Sequence, residues 1–256
     1  MDWTTAGLQS VFVVGSGKLD SSTTRFFRRE VMKTLSSLSV KIYADGADPA
    51  WMLEMCNSPF IRGFTTNPTL MRKAGVSDYR SFAFEVLRAI PDRPVSFEVF
   101  SDEFAEMKRQ ARKIASWGEN VYVKIPVTNT RGESSAALIR GLAQDGIKLN
   151  VTALMTLEQV REISESLAGG PSAYVSVFAG RIADAGHNPV PFMAAAVELL
   201  RIYPNLELIW ASPRELFNIF QADAVGCHII TVTSDLLKKI HSIGKDLSEF
   251  SLETVK

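Results

Sequence analysis

From residue 41 onward, short apolar runs and helix-length amphipathic segments alternate eight times, and this constrains the fold more than anything else in the chain. KIYAD, IRGFTTN, PVSFEVFS, NVYVKIPV, IKLNVTAL, AYVSVFAG, LELIWAS and HIITVT read as strands, and each is followed by residues with helical spacing. The punctuation agrees: Pro68 and Thr156 stand where helices open, Gly75 and Gly118 where they stop. Alternating β and α segments joined by short connections imply parallel strands with right-handed crossovers. Eight such units predict a single (β/α)8 TIM barrel over residues 41–256, with residues 1–40 as an N-terminal extension. An open doubly wound sheet is the alternative. Within the extension, VFVVGSGKLDSS suggests a nucleotide loop, but Phe12 stands where a Walker motif needs glycine. A turn between a short strand and the helix FFRREVMKTLSSL is expected there.

Side-chain parity then sorts each strand. In NVYVKIPV, Val121, Val123 and Ile125 share one face, Tyr122 and Lys124 the other, and Pro126 ends the ladder. A lysine set in a buried strand needs a polar surrounding or must lose its proton, and a neutral amine can form a Schiff base with a carbonyl. The bland alternative is an edge-strand lysine facing water. The other strands decide between the two. Lys41, Tyr43 and Asp45 face opposite Ile42 and Ala44; Thr65 and Asn67 share a face; Ser96 and Glu98 oppose Val95, Phe97 and Val99. Asn150 and Thr152 oppose Leu149 and Val151, Ser176 and Phe178 oppose Val175 and Val177, and Trp210 and Ser212 are expected inward with Arg214 just beyond. Polar groups gathered at the C-terminal ends of barrel strands mark a site, because packing alone favours Val, Ile and Leu there.

Composition closes off other classes. Twenty-eight basic residues balance 28 acidic ones, so there is no global attraction to nucleic acid or anionic membrane. Two cysteines make no disulfide framework, three histidines form no metal-binding spacing, and no apolar run is long enough to span a bilayer. Without a signal-peptide pattern, the expected compartment is the cytoplasm.

The motifs YAD, GFTTNPTL, FEVFS, YVKIPVT, LNVTALMT, VSVFAGRIADAGHN and IWASPRE, in this order, resemble the transaldolase family, in particular its short branch that includes the fructose-6-phosphate aldolases. The resemblance implies Lys124 as the Schiff-base lysine and Asp45 as the acid/base at the substrate C4 hydroxyl. It implies Glu98 and Thr152 as the pair that positions a catalytic water. Asn67, Asn150 and Ser176 would bind substrate, and Arg181, Ser212 and Arg214 would hold its phosphate. Sugar phosphates are then the partners and no cofactor or metal is required; a homo-oligomer is compatible with the family. Glu98 and Phe178 match the transferase branch, where the aldolase branch carries glutamine and tyrosine. That favours transfer of a dihydroxyacetone unit between sugar phosphates, as in the pentose phosphate pathway. The alternatives are an aldolase releasing free ketone, a related enzyme of a specialised sugar pathway, and a sugar-phosphate-binding barrel without turnover. The chain departs from the family at Val177, where proline is usual, in the longer segment NTRGESS, and in residues 1–40.

Overall fold

The structure, a computed structural model, describes residues 34–256. The strand and turn expected near the N-terminus, and most of the helix after them, lie outside the described residues. Where that helix was expected to end, Leu35–Ser37 forms one 3-10 turn.

Eight parallel strands close into a barrel in chain order. They are β1 (Lys41–Asp45), β2 (Ile61–Thr65), β3 (Val95–Glu98), β4 (Val121–Pro126), β5 (Leu149–Leu154), β6 (Ala173–Val177), β7 (Leu206–Trp210) and β8 (Ile229–Thr233). The helices between them are α1 (Pro49–Cys56), α2 (Pro68–Lys73), α3 (Tyr79–Ala89), α4 (Phe104–Ala115), α5 (Ala136–Gln144), α6 (Leu157–Leu167), α7 (Ala179–Asp184), α8 (Pro189–Leu200) and α9 (Asn218–Ala224). After β8 come α10 (Ser234–Leu237) and α11 (Leu247–Val255). Local chemistry starts these helices where it should. Asp48, Asn67 and Asn188 each cap a helix that opens on proline, and Thr156 with Gln159 forms a full capping box.

The strands carry two apolar faces. Outward residues such as Phe64, Val95, Phe97, Val123, Ile125, Val151 and Val175 join helix residues including Met107, Ile139, Ile163 and Met193 in the main core. Each such side chain removed from water contributes about 1.5–3 kcal/mol. Inside the barrel a smaller cluster of Tyr43, Tyr122, Tyr174, Ile209, Ala211 and Ile229 plugs the end nearer the strand N-termini. The Tyr122 and Tyr174 rings stack at 4.0 Å, and the Tyr43 and Tyr174 hydroxyls are 2.9 Å apart. The plug needs Gly63: a Cβ there would lie 2.5 Å from the Tyr43 ring. The interior is therefore filled from below, and polar residues are left to the upper layers.

One expected facing is wrong. Trp210 does not point inward; it packs with Leu208 in the outer core, while Ile209 and Ala211 take the inner face. Ser212 then adopts φ 60°, so strand parity does not carry through it. The structure adds two helices to those expected, α7 immediately after β6 and α11 at the C-terminus.

Candidate active site

Above the tyrosine plug, β1 to β4 bring the ionisable residues together. Register pairs Glu98 with Lys124 and Lys124 with Asn150 across β3, β4 and β5. Outward packing of Val123 and Ile125 turns the Lys124 side chain into the barrel, where the residue is only 7% exposed. Its Nζ donates to the Thr66 carbonyl oxygen at 2.9 Å and lies 3.0 Å from Glu98 Oε2. The edge-strand alternative for this lysine is thereby excluded. A buried amine with two oxygen partners meets the requirement that such a group be paired.

Asp45, at the end of β1, accepts a hydrogen bond from Thr65 Oγ1 at 2.7 Å. Burial pushes its carboxyl above the ordinary value; the Lys124 charge, the Thr65 hydroxyl and the Asn67 side chain pull it back, while Glu98 opposes them. Asp45, Glu98 and Lys124 thus feel one another directly. Asn67 has a double task, because its Oδ1 also caps α2 by accepting from Leu70 N at 2.9 Å. That bond fixes the amide so that its NH2 end is turned to Asp45.

A second polar line crosses β3, β5 and β6. Ser176 Oγ donates to Asn150 Oδ1 at 2.7 Å, and Asn150 Nδ2 donates to Ser96 Oγ at 3.0 Å. Asn150 is thus committed to two serines and has no hydrogen bond to Lys124. Thr152 is buried two residues further along β5, beside a register irregularity where Ala153 takes φ 66°. Phe178 sits half-buried against the tyrosine cluster at the start of α7.

Arg181 lies on α7 and Arg214 on the segment after β7, both close enough to Asp184 to act on its charge, and the Ser212 backbone lies against Gly180 of α7. Both arginines are exposed. Arg214 is already engaged: its Nε donates to Asp184 Oδ1 at 2.9 Å and its second nitrogen donates to Asp184 Oδ2. These bonds and the arginine charges hold the Asp184 carboxyl below its usual range. Asp184 lies three residues after Arg181 on α7, but its hydrogen bonds go to Arg214, a pairing that spacing within one helix does not signal. The contact between α7 and this segment depends on Gly180, where a Cβ would lie 1.5 Å from the Ser212 carbonyl oxygen. Replacement of Gly180 by alanine is expected to destabilise the barrel by about 1–3 kcal/mol, as overpacking does. Thermal melts of the two proteins check this, and equal midpoints would contradict the close approach.

Ser96 and Thr231 complete the interior. Strand parity places Ser96 of PVSFEVFS and Thr231 of HIITVT on the interior face. Among the described residues no three His, Cys, Asp or Glu side chains gather as a metal-ligand set, and no helix is long and apolar enough to cross a membrane.

Comparison with known proteins bears on this arrangement. The family model described as Transaldolase/Fructose-6-phosphate aldolase matches residues 42–255. The chain is 34% identical over 202 residues to a protein of Dehalococcoides mccartyi named probable transaldolase, covering 78% of this chain and 90% of that protein. A probable transaldolase of Caldicellulosiruptor saccharolyticus is also 34% identical, over 203 residues that cover 78% of this chain and 89% of the relative. A solved structure of 2,3-dimethylmalate lyase, a PEP mutase/isocitrate lyase superfamily member, superposes with a TM-score of 0.53 at 13% identity and covers 81% of each chain, which speaks to the barrel fold alone. The family match runs through every strand that carries a polar interior residue, and the chain belongs to the transaldolase/fructose-6-phosphate aldolase family.

Proposed function

We propose that this protein is a transaldolase that moves a dihydroxyacetone unit from a ketose phosphate of the fructose 6-phosphate type to an aldose phosphate, through a Schiff base on Lys124. The catalytic domain in this reading is residues 41–256, residues 1–40 are an extension, and the enzyme serves cytoplasmic carbohydrate metabolism. The observation that carries the reading is the Lys124 amine, enclosed in the barrel within 3.0 Å of Glu98 and under the electrostatic influence of Asp45.

The chemistry follows from these groups. The neutral Lys124 amine adds to the donor's C2 carbonyl, and loss of water gives an iminium. The C3–C4 bond then breaks, its electron pair enters the iminium to form an enamine, and the C4 hydroxyl proton passes to ionised Asp45 as the aldehyde departs. The enamine attacks the acceptor aldehyde, Asp45 returns its proton to the new hydroxyl, and water releases the product. Glu98, with Thr152, would position the water and shuttle protons at the nitrogen. Phe178 supports transfer over ketone release, because a phenyl ring has no proton to give the enamine. Borohydride treatment in the presence of fructose 6-phosphate is expected to leave a reduced adduct on Lys124. Free ketone is expected to stay low with or without an acceptor aldehyde; steady release of ketone without acceptor would favour the aldolase reading.

In the same reading, substrate phosphate must share the Arg214 guanidinium with Asp184. Charge-assisted bonds of this kind are worth about 1.5–3 kcal/mol. Arg214→Ala is therefore expected to raise KM for fructose 6-phosphate by roughly 10–100-fold with kcat little changed. Turnover of an unphosphorylated ketose should be unaffected. Steady-state kinetics on the two donors check this, and equal losses on both would remove Arg214 from phosphate recognition.

A further inference from the structure

The inner face of β8 is not part of the machinery described above, yet it reaches Asp45. β1 lies between β2 and β8, with Asp45 opposite Thr65 on one side and Tyr43 opposite Thr231 on the other. The Thr65 and Thr231 hydroxyls span the inside of β1 and meet at 2.5 Å, while Thr65 Oγ1 also donates to Asp45 Oδ1 at 2.7 Å. Both threonines are shielded from water, at 3% and 7% exposure. A hydroxyl has one proton to give. Since the Thr65 proton is directed at Asp45, the bond between the threonines must be donated by Thr231. The order is Thr231 to Thr65 to Asp45, and each link makes the next hydroxyl a better donor.

We propose that Thr65 and Thr231 are positioning residues forming a two-hydroxyl relay that orients Asp45 and stabilises its ionised form. The proposal rests on the reading of Asp45 as the proton acceptor, but its test does not require turnover. The groups that face Asp45 are Lys124 from β4, Glu98 from β3, Thr65 from β2 and Asn67 from the turn after β2. β8 supplies hydroxyls and no charge: Thr233 is the register partner of Asp45, and Thr231 is the one bonded to Thr65. Of these, Lys124 and Asn67 have other partners to satisfy, at the Thr66 carbonyl and Glu98 and at the α2 cap respectively. Among the described residues the two threonine hydroxyls bond only to each other and to Asp45, so removing them should act on Asp45 first.

The sign is fixed by the donor. A hydrogen bond given to a carboxylate favours the charged form, so its loss raises the pH at which Asp45 ionises. The test uses the full chain labelled with 13C at aspartate carboxyl carbons, with the Asp45 signal assigned by its absence in Asp45→Asn. Thr65→Val is expected to move the Asp45 midpoint upward by about one pH unit, a tenfold change in proton affinity. Thr231→Val is expected to move it less, in the same direction, and Thr65→Ser and Thr231→Ser are expected to titrate like the unmodified protein. A midpoint that is unmoved or lowered in Thr65→Val overturns the relay, and one unmoved in Thr231→Val overturns the part assigned to β8. Should either valine variant fail to fold, the alanine and serine pair at that position carries the same comparison. In kinetics with fructose 6-phosphate, the acid limb of kcat should shift in step with the titration. A uniform loss at every pH would mean a purely structural role. Absence of a borohydride adduct in the unmodified enzyme would sink the Schiff-base reading while leaving the titration readable.

Discussion

Replacement of Lys124 by methionine is expected to abolish turnover, with a loss on the order of 10⁵–10⁶-fold in kcat, comparable to removal of other covalent nucleophiles. The borohydride adduct should vanish with it. Two features make this a clean experiment. Methionine keeps most of the lysine stem, and β4 is located by the outward packing of Val123 and Ile125, both fully buried, rather than by the amine. The cost to the fold is local. The Thr66 carbonyl loses a donor at 2.9 Å, for about 1–3 kcal/mol, and Glu98 loses its ion-pair partner. The Glu98 side chain is 18% exposed, so water can replace part of that partner. Circular dichroism should therefore resemble that of the unmodified protein, with the melting midpoint lowered by several degrees at most. Mass spectrometry after borohydride reduction decides the chemical question. An adduct that persists in the methionine variant would place the covalent chemistry on another residue.

The extent to which this centre was legible in the sequence differs between strands, for physical reasons. β1, β3, β4, β5 and β6 alternate apolar outward residues with polar or tyrosine inward ones, so parity puts Asp45, Glu98, Lys124, Asn150 and Ser176 on the interior face. β7 broke the rule because tryptophan is apolar enough for either face, and the left-handed residue Ser212 disconnects the strand from the segment carrying Arg214. α7 is six residues long and opens on Ala-Gly, too short to display a period. α11 buries none of its residues, so packing imposes no stripe on its sequence. What parity cannot give is hydrogen-bond direction. Asn150 stands opposite Lys124 in the register yet turns its side chain to Ser96 and Ser176, and Arg214 is gripped by Asp184. These pairings depend on side-chain reach across strands and loops, which spacing within one segment does not encode.

The second large effect separates Asp45 from Lys124. In Asp45→Asn the amine still adds to a ketose, so a borohydride adduct should form, but carbon–carbon cleavage is expected to slow by about 10²–10⁴-fold because no carboxylate takes the C4 proton. The adduct in this variant should retain the whole donor rather than a three-carbon fragment, a difference that mass spectrometry reads directly. Stability should move the opposite way. Burial, the largest influence on Asp45, raises its carboxyl above the ordinary value of 3.8, so the folded protein ionises it less readily than the unfolded chain does. The sign follows: the folded state is penalised once pH rises through that window, and the full penalty is present above the folded value. Asparagine has no such charge to desolvate. The variant is therefore expected to be at least as stable as the unmodified protein at neutral pH, with the advantage shrinking as the solution is acidified towards 3.8. Denaturant melts across that range test the linkage. Full cleavage activity in Asp45→Asn, or a stability advantage that grows on acidification, would show that the carboxylate neither accepts the proton nor bears the cost of burial.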